Sequence, residues 1–82
     1  MNGAAVRTAR VARGFTQETL AAHIRSRASR YKDPALAQAA RGMTAGVISR
    51  AERGYLVDPK TVRLIEDALK TRNLTATATV AA

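Results

Sequence analysis

The chain has 82 residues, room for one small core and not for two. It contains no cysteine and one histidine, His23, which excludes a disulfide framework and leaves no Cys- or His-built metal site. Fourteen Lys and Arg against six Asp and Glu give a formal net charge of +8 at pH 7, a balance that favours a polyanionic partner, above all nucleic acid. Eleven of those cations are arginine, whose planar fork suits phosphate oxygens and guanine edges. No apolar run approaches a membrane span, and the N-terminus lacks a signal peptide's apolar block, so the expectation is an intracellular protein that meets no membrane.

In chain order, Val6, Ala9, Ala12 and Phe15 keep roughly helical spacing and Gly14 supplies a stop, predicting a first helix over 4–13 with Arg7, Arg10 and Arg13 as a cationic stripe. Thr16 is a natural N-cap, with Glu18 in the first turn where a carboxylate suits the dipole. Leu20, Ala21 and Ile24 form an inner face that continues through Ala28 to Tyr31, so a second helix is expected to reach about residue 31. Asp33-Pro34 restarts the chain as a cap followed by proline in the first turn, "ALAQAA" favours helix, and Gly42 ends it. Thr44 caps the next helix, which has Val47, Ile48 and Ala51 inside and closes at Gly54. Asp58-Pro59 repeats the restart. Val62, Leu64, Ile65, Ala68 and Leu69 then predict a last helix to about Thr71.

The tail "NLTATATVAA" alternates apolar residues and threonines, the pattern of a strand. It is either a frayed terminus or an edge strand that pairs with a second subunit. The fold expected is therefore all-α, a bundle of about five helices, with a domain over 1–72 and a tail over 73–82.

The segment "GMTAGVISRAERG" raises the functional question. Its outward face would carry Thr44, Ala45, Gly46, Ser49, Arg50 and Arg53, small at one end and cationic at the other. In a helix-turn-helix, the second helix enters the major groove and must be slim at its N-terminal end. Ala45 and Gly46 meet that demand, Arg50 can reach a guanine edge with two bonds, and Thr44 and Ser49 can donate to phosphates or bases.

"VRTARVARGFTQETLAAHI" followed by "GMTAGVISRAERG" resembles the phage repressor and Cro type of helix-turn-helix, the XRE-like family. Arg10, Arg13, Gly14, Thr16, Gln17, Leu20 and Ala21 match the family's opening segment. Thr44, Ile48, Ser49, Glu52 and Gly54 match its recognition segment, and "DPKTVRLIEDAL" resembles its closing helix; the matching parts cover roughly two thirds of the chain. The resemblance implies base reading by Ala45, Gly46, Ser49 and Arg50, and backbone contacts from Thr16, Gln17, Thr44, Arg53 and Lys60. It also implies an internal salt bridge between Arg10 and Glu52.

The family usually has no gap between Ile24 and Gly42, yet seventeen residues, 25–41, stand there. They either lengthen the second helix and add a short one, or displace the motif's first half with "LAQAARG". Arg25, Arg27, Arg30 and Lys32 give this insertion cations that a purely structural loop would not need. They suggest further phosphate or minor-groove contacts, with Arg25, Arg27 and Arg30 as candidates for the DNA backbone. Where relatives often carry glutamine, Ala45 and Gly46 offer only a methyl or backbone approach, which concentrates base reading on Arg50.

Plainer roles stand beside these. His23 reads as an exposed helical residue, Tyr31 as a core or lid residue, and Tyr55 as a phosphate or packing contact. Glu66 and Asp67 read as local ion-pair partners rather than an acid/base pair, and no nucleophile and base are arranged for catalysis. The expected function is a sequence-specific double-stranded DNA-binding transcription regulator. It would be a small phage or bacterial repressor, cytoplasmic and nucleoid-associated, acting by operator occlusion, with a homodimer as partner and neither cofactor nor small-molecule ligand. The alternatives are an antitoxin-type module whose main partner is a protein, and an excisionase-like recombination accessory. Val11, apolar but off the inner face, is a candidate subunit contact.

Overall fold

The computed structural model describes residues 3–55 and 57–70. Among them are five α-helices, α1 (Gly3–Ala12), α2 (Gln17–Ser26), α3 (Pro34–Arg41), α4 (Ala45–Glu52) and α5 (Pro59–Leu69), with one 3-10 turn at Ala28–Arg30 between α2 and α3. The molecule is an all-α bundle. The strand-patterned tail lies outside the described residues.

Local chemistry sets nearly every boundary. Thr16 Oγ1 accepts from the Thr19 amide at 3.0 Å while Thr19 Oγ1 accepts from the Thr16 amide at 2.8 Å, a reciprocal box that starts α2. Glu18 stands in the first turn, where its carboxylate suits the helix dipole, and the box itself is closed by a second threonine. Asp33 and Asp58 accept from the amides two residues on, at 2.9 and 2.8 Å, and each is followed by a proline at the first helical position. Thr44 Oγ1 accepts from Val47 N–H at 3.3 Å and opens α4.

Helices α1 and α4 end in the same way. Gly14 and Gly54 take φ of 75° and 83°. In each case the amide after the glycine reaches back five residues, Phe15 to the Arg10 carbonyl and Tyr55 to the Arg50 carbonyl, both at 3.1 Å. This is the Schellman closure, which needs a residue that tolerates the left-handed region. Lys70 ends α5 in that region without being glycine, at φ 53°.

The core is apolar throughout. Val6, Leu20, Ala21, Ile24, Ala28, Leu36, Ala40, Met43, Ile48, Ala51, Leu64, Ile65, Ala68 and Leu69 form one cluster, and no polar or charged residue is fully buried among the described residues. Phe15, Tyr31, Val47 and Val57 cover its edges. Ala12, assigned inward by spacing, is exposed.

Helix α2 does not reach residue 31. Its α-helical bonds stop at Ser26, whose hydroxyl donates back to the His23 carbonyl at 2.6 Å, and the Arg27 amide tightens to the Ile24 carbonyl. Yet Ala28 stays buried and Tyr31 half-buried, since the 3-10 turn keeps the same side facing inward. The insertion thus adds a turn and a short helix. α3 packs chiefly on the 3-10 turn, α5 and α2, although only a three-residue turn joins it to α4. The broadest packing against α4 comes from α2, so α3 has not displaced α2 as its neighbour.

Candidate nucleic-acid interface

Helix α4 carries the segment singled out by sequence, and its two sides differ completely. Ile48 and Ala51 are fully buried and Val47 packs on the core edge. On the other side Thr44, Gly46, Arg50 and Arg53 are exposed, and Ala45 and Ser49 are half-exposed. Beside this outward face lies a cleft of about 210 Å³ lined by Val47, Arg50, Val57, Asp58 and Thr61. It joins α4 to the first turn of α5, where Lys60 is exposed. Arg53 lies over the ring of Tyr55, with the guanidinium carbon 5.7 Å from the ring centre, and Tyr55 itself is 56% exposed.

Gly46 has no internal reason to be glycine. A Cβ built there would meet only Thr44 Oγ1, at 3.7 Å, an ordinary contact.

The C-terminal end of α4 is held from several directions, all through Glu52. Arg10 of α1 forms a forked ion pair with its carboxylate, Nε to Oε2 and Nη2 to Oε1 at 3.1 Å. The remaining Arg10 nitrogen, Nη1, donates to the Phe15 carbonyl at 2.8 Å. The two side chains are only 11% and 6% exposed. Gln17 Nε2 donates to Glu52 Oε1 at 3.1 Å. Burial pushes the Glu52 carboxyl upward, but the bonds from Arg10 and Gln17 and the charges of Arg10 and Arg7 outweigh it, leaving the pKa below the ordinary value. The salt bridge implied for Arg10 and Glu52 is thus present in the structure. Gly3, which spacing did not single out, completes this end: it is buried, and a Cβ on it would collide with the Glu52 carbonyl.

Several residues expected to face DNA have internal partners. Gln17 turns its amide nitrogen to Glu52. Arg25 Nη1 donates to the Met43 carbonyl at 2.8 Å, just before the Thr44 cap. Arg27 is half-buried, lining a second cleft with Glu66, Asp67 and Lys70 at the C-terminal end of α5, the opposite end of that helix from Lys60. Thr16 is exposed but its hydroxyl closes the α2 cap, and Arg30 and Lys32 are exposed.

Around the second cleft, Tyr31 donates to Asp67 Oδ2 at 2.8 Å. Burial, reinforced by that carboxylate, raises its phenol to about 12. Asp67 also faces Arg63 one turn back at 3.8 Å, the local pairing anticipated for this acid. His23 is half-buried rather than exposed, its ring 5.2 Å from that of Phe15. Burial and the charges of Arg27, Arg30 and Lys70 lower its pKa.

Among the described residues, no group of three or more His, Cys, Asp or Glu could hold a metal ion, and no helix is long and apolar enough to cross a membrane. Comparison with protein-family models, with curated proteins and with solved structures returns no match to this chain.

Proposed function

We propose that the protein is a sequence-specific double-stranded DNA-binding transcription regulator, with α4 as the helix that enters the major groove. The reading rests on one observation above others. The exposed N-terminal turn of α4 carries a glycine that the fold does not need, one turn before an exposed arginine on the same outward side. Glycine lowers helix stability relative to alanine, so its presence at an open, solvent-facing position suits a surface that must approach something closely. A groove floor flanked by phosphates is such a surface, and the net charge of +8 supplies the long-range attraction.

In this reading Arg50 reads a guanine through its N7 and O6 acceptors. Ala45 and Gly46 give methyl and backbone contact, Ser49 a single hydrogen bond. Thr44, Arg53 and Lys60 hold phosphates on either side of the groove, and Thr16 holds one at the start of α2. Arg30 extends the positive surface along the insertion. The protein acts by occluding its operator, as a small bacterial or phage repressor in the cytoplasm, and binds as a homodimer whose half-sites lie about one helical turn apart.

Selection of bound duplexes from a random pool tests this, repeated with Arg50→Ala. The expected result is a guanine preference at one position per half-site that the variant loses, at a cost of about 1–3 kcal/mol. An unselective pool from the wild-type chain would refute the reading.

A further inference from the structure

α2 and α4 pack on each other, yet the chain does not join them directly: the 3-10 turn and α3 stand between. What sets the start of α4 is therefore the peptide that enters it. Met43 is buried, which fixes the position of that peptide but not the direction of its carbonyl. Arg25, in the last turn of α2, supplies the missing restraint. Its Nη1 donates to the Met43 carbonyl at 2.8 Å across 18 residues of chain. The next residue, Thr44, then receives two amides of the first turn, Val47 on its hydroxyl and Ile48 on its carbonyl, both at 3.3 Å. Orienting the Met43–Thr44 peptide thus orients the cap, and the cap orients Ala45 and Gly46. At the far end of the same helix, Gln17 of α2 reaches Glu52. α2 therefore grips α4 by a hydrogen bond at each end.

We propose that Arg25 is the positioning residue of α4: its guanidinium fixes the Met43–Thr44 peptide and so the angle at which Ala45, Gly46 and Arg50 meet DNA. The proposal rests on the function inferred above, but its structural half can be tested apart from it. It assigns the first cation of the insertion to the protein's own backbone rather than to a phosphate.

The experiment uses the full chain and Arg25→Met, which keeps the length of the side chain without its donors, with Arg25→Gln as a second variant should the first fold poorly. Hydrogen exchange is read at the Val47 and Ile48 amides, with α1 and α5 as internal standards. The expected result is exchange about tenfold faster in α4 alone, the size of one lost charge-assisted hydrogen bond. Equal exchange in variant and wild type would overturn the proposal.

Affinity is then measured for the selected duplex and for an unrelated duplex of the same length, over a range of salt. Positioning predicts about a tenfold loss on the selected duplex, with the unrelated duplex and both salt slopes unchanged. A parallel loss on both duplexes, with the log–log slope shallower by about 0.9, would make Arg25 a phosphate contact and overturn the proposal. If the wild-type chain binds neither duplex, the DNA reading fails while the exchange result still decides the role of Arg25.

Discussion

Gly3 and Gly46 both occupy the first turn of a helix, and their surroundings are opposite. A Cβ on Gly3 would collide with the backbone of Glu52, whereas one on Gly46 would meet a side-chain hydroxyl at a comfortable 3.7 Å. The first glycine is demanded by packing: α1 can lie against the end of α4 only where no side chain intervenes. The second is demanded by nothing inside the molecule. The same residue type therefore marks a structural contact at one end of α4 and an open, solvent-facing position at the other.

The contrast can be broken most forcefully at the packed end. Glu52→Ala leaves Arg10 and Gln17 without the carboxylate that both engage. In a pair this poorly exposed the expected loss is about 3 kcal/mol, read by denaturant unfolding at neutral pH. The same carboxylate gives a pH signature. Its folded pKa is depressed, so its contribution is complete above the unfolded value of about 4.3 and disappears as pH falls through the lower folded value. Glu52→Gln should start less stable at neutral pH and decline less steeply in acid. An acid limb as steep as that of the wild type would show that Glu52 does not set it.

Gly3→Ala comes next. The methyl must displace α1 from the Glu52 carbonyl, and overpacking of this kind is expected to remove about 2 kcal/mol. Unchanged unfolding would mean that the contact between α1 and α4 is looser than described. The smallest effect belongs to Gly46→Ala, which has no collision to overcome. It should gain roughly 0.5 kcal/mol from helix propensity, a rise of about 2–4 °C in thermal midpoint for a domain of this size.

How much of this was legible in the sequence follows from the range of each interaction. The helices and the buried faces of α2, α4 and α5 were readable because apolar spacing and caps are local: Thr16, Asp33, Thr44 and Asp58 each bond an amide two or three residues on. The end of α2 was not, since Ala28 and Tyr31 stay on the inner side whether the chain there is α-helical or 3-10, and apolar spacing cannot tell the two apart. Polar partners were the least legible. Arg25 and Gln17 look like any exposed cation and amide on a helix; their acceptors lie 18 and 35 residues away and are set by tertiary packing. The pairing of Arg10 with Glu52, 42 residues apart, came from family resemblance and not from spacing. Gly3 carried no signal at all, as a glycine near the chain start reads as a terminus rather than as a helix contact. The outward face of α4 was legible because a helix with a known inner stripe has a known outer one.

The central claim is that the first turn of α4 fits closely into a DNA groove, and Gly46→Leu tests it most directly. Leucine favours helix over glycine, and its Cβ would make only an ordinary 3.7 Å contact with the Thr44 hydroxyl, so the thermal midpoint should not fall. Affinity for the duplex selected by the wild-type chain should nevertheless fall by about tenfold or more, because the added side chain stands between helix and groove. A variant that is no less stable and binds that duplex as tightly as the wild type would contradict the account.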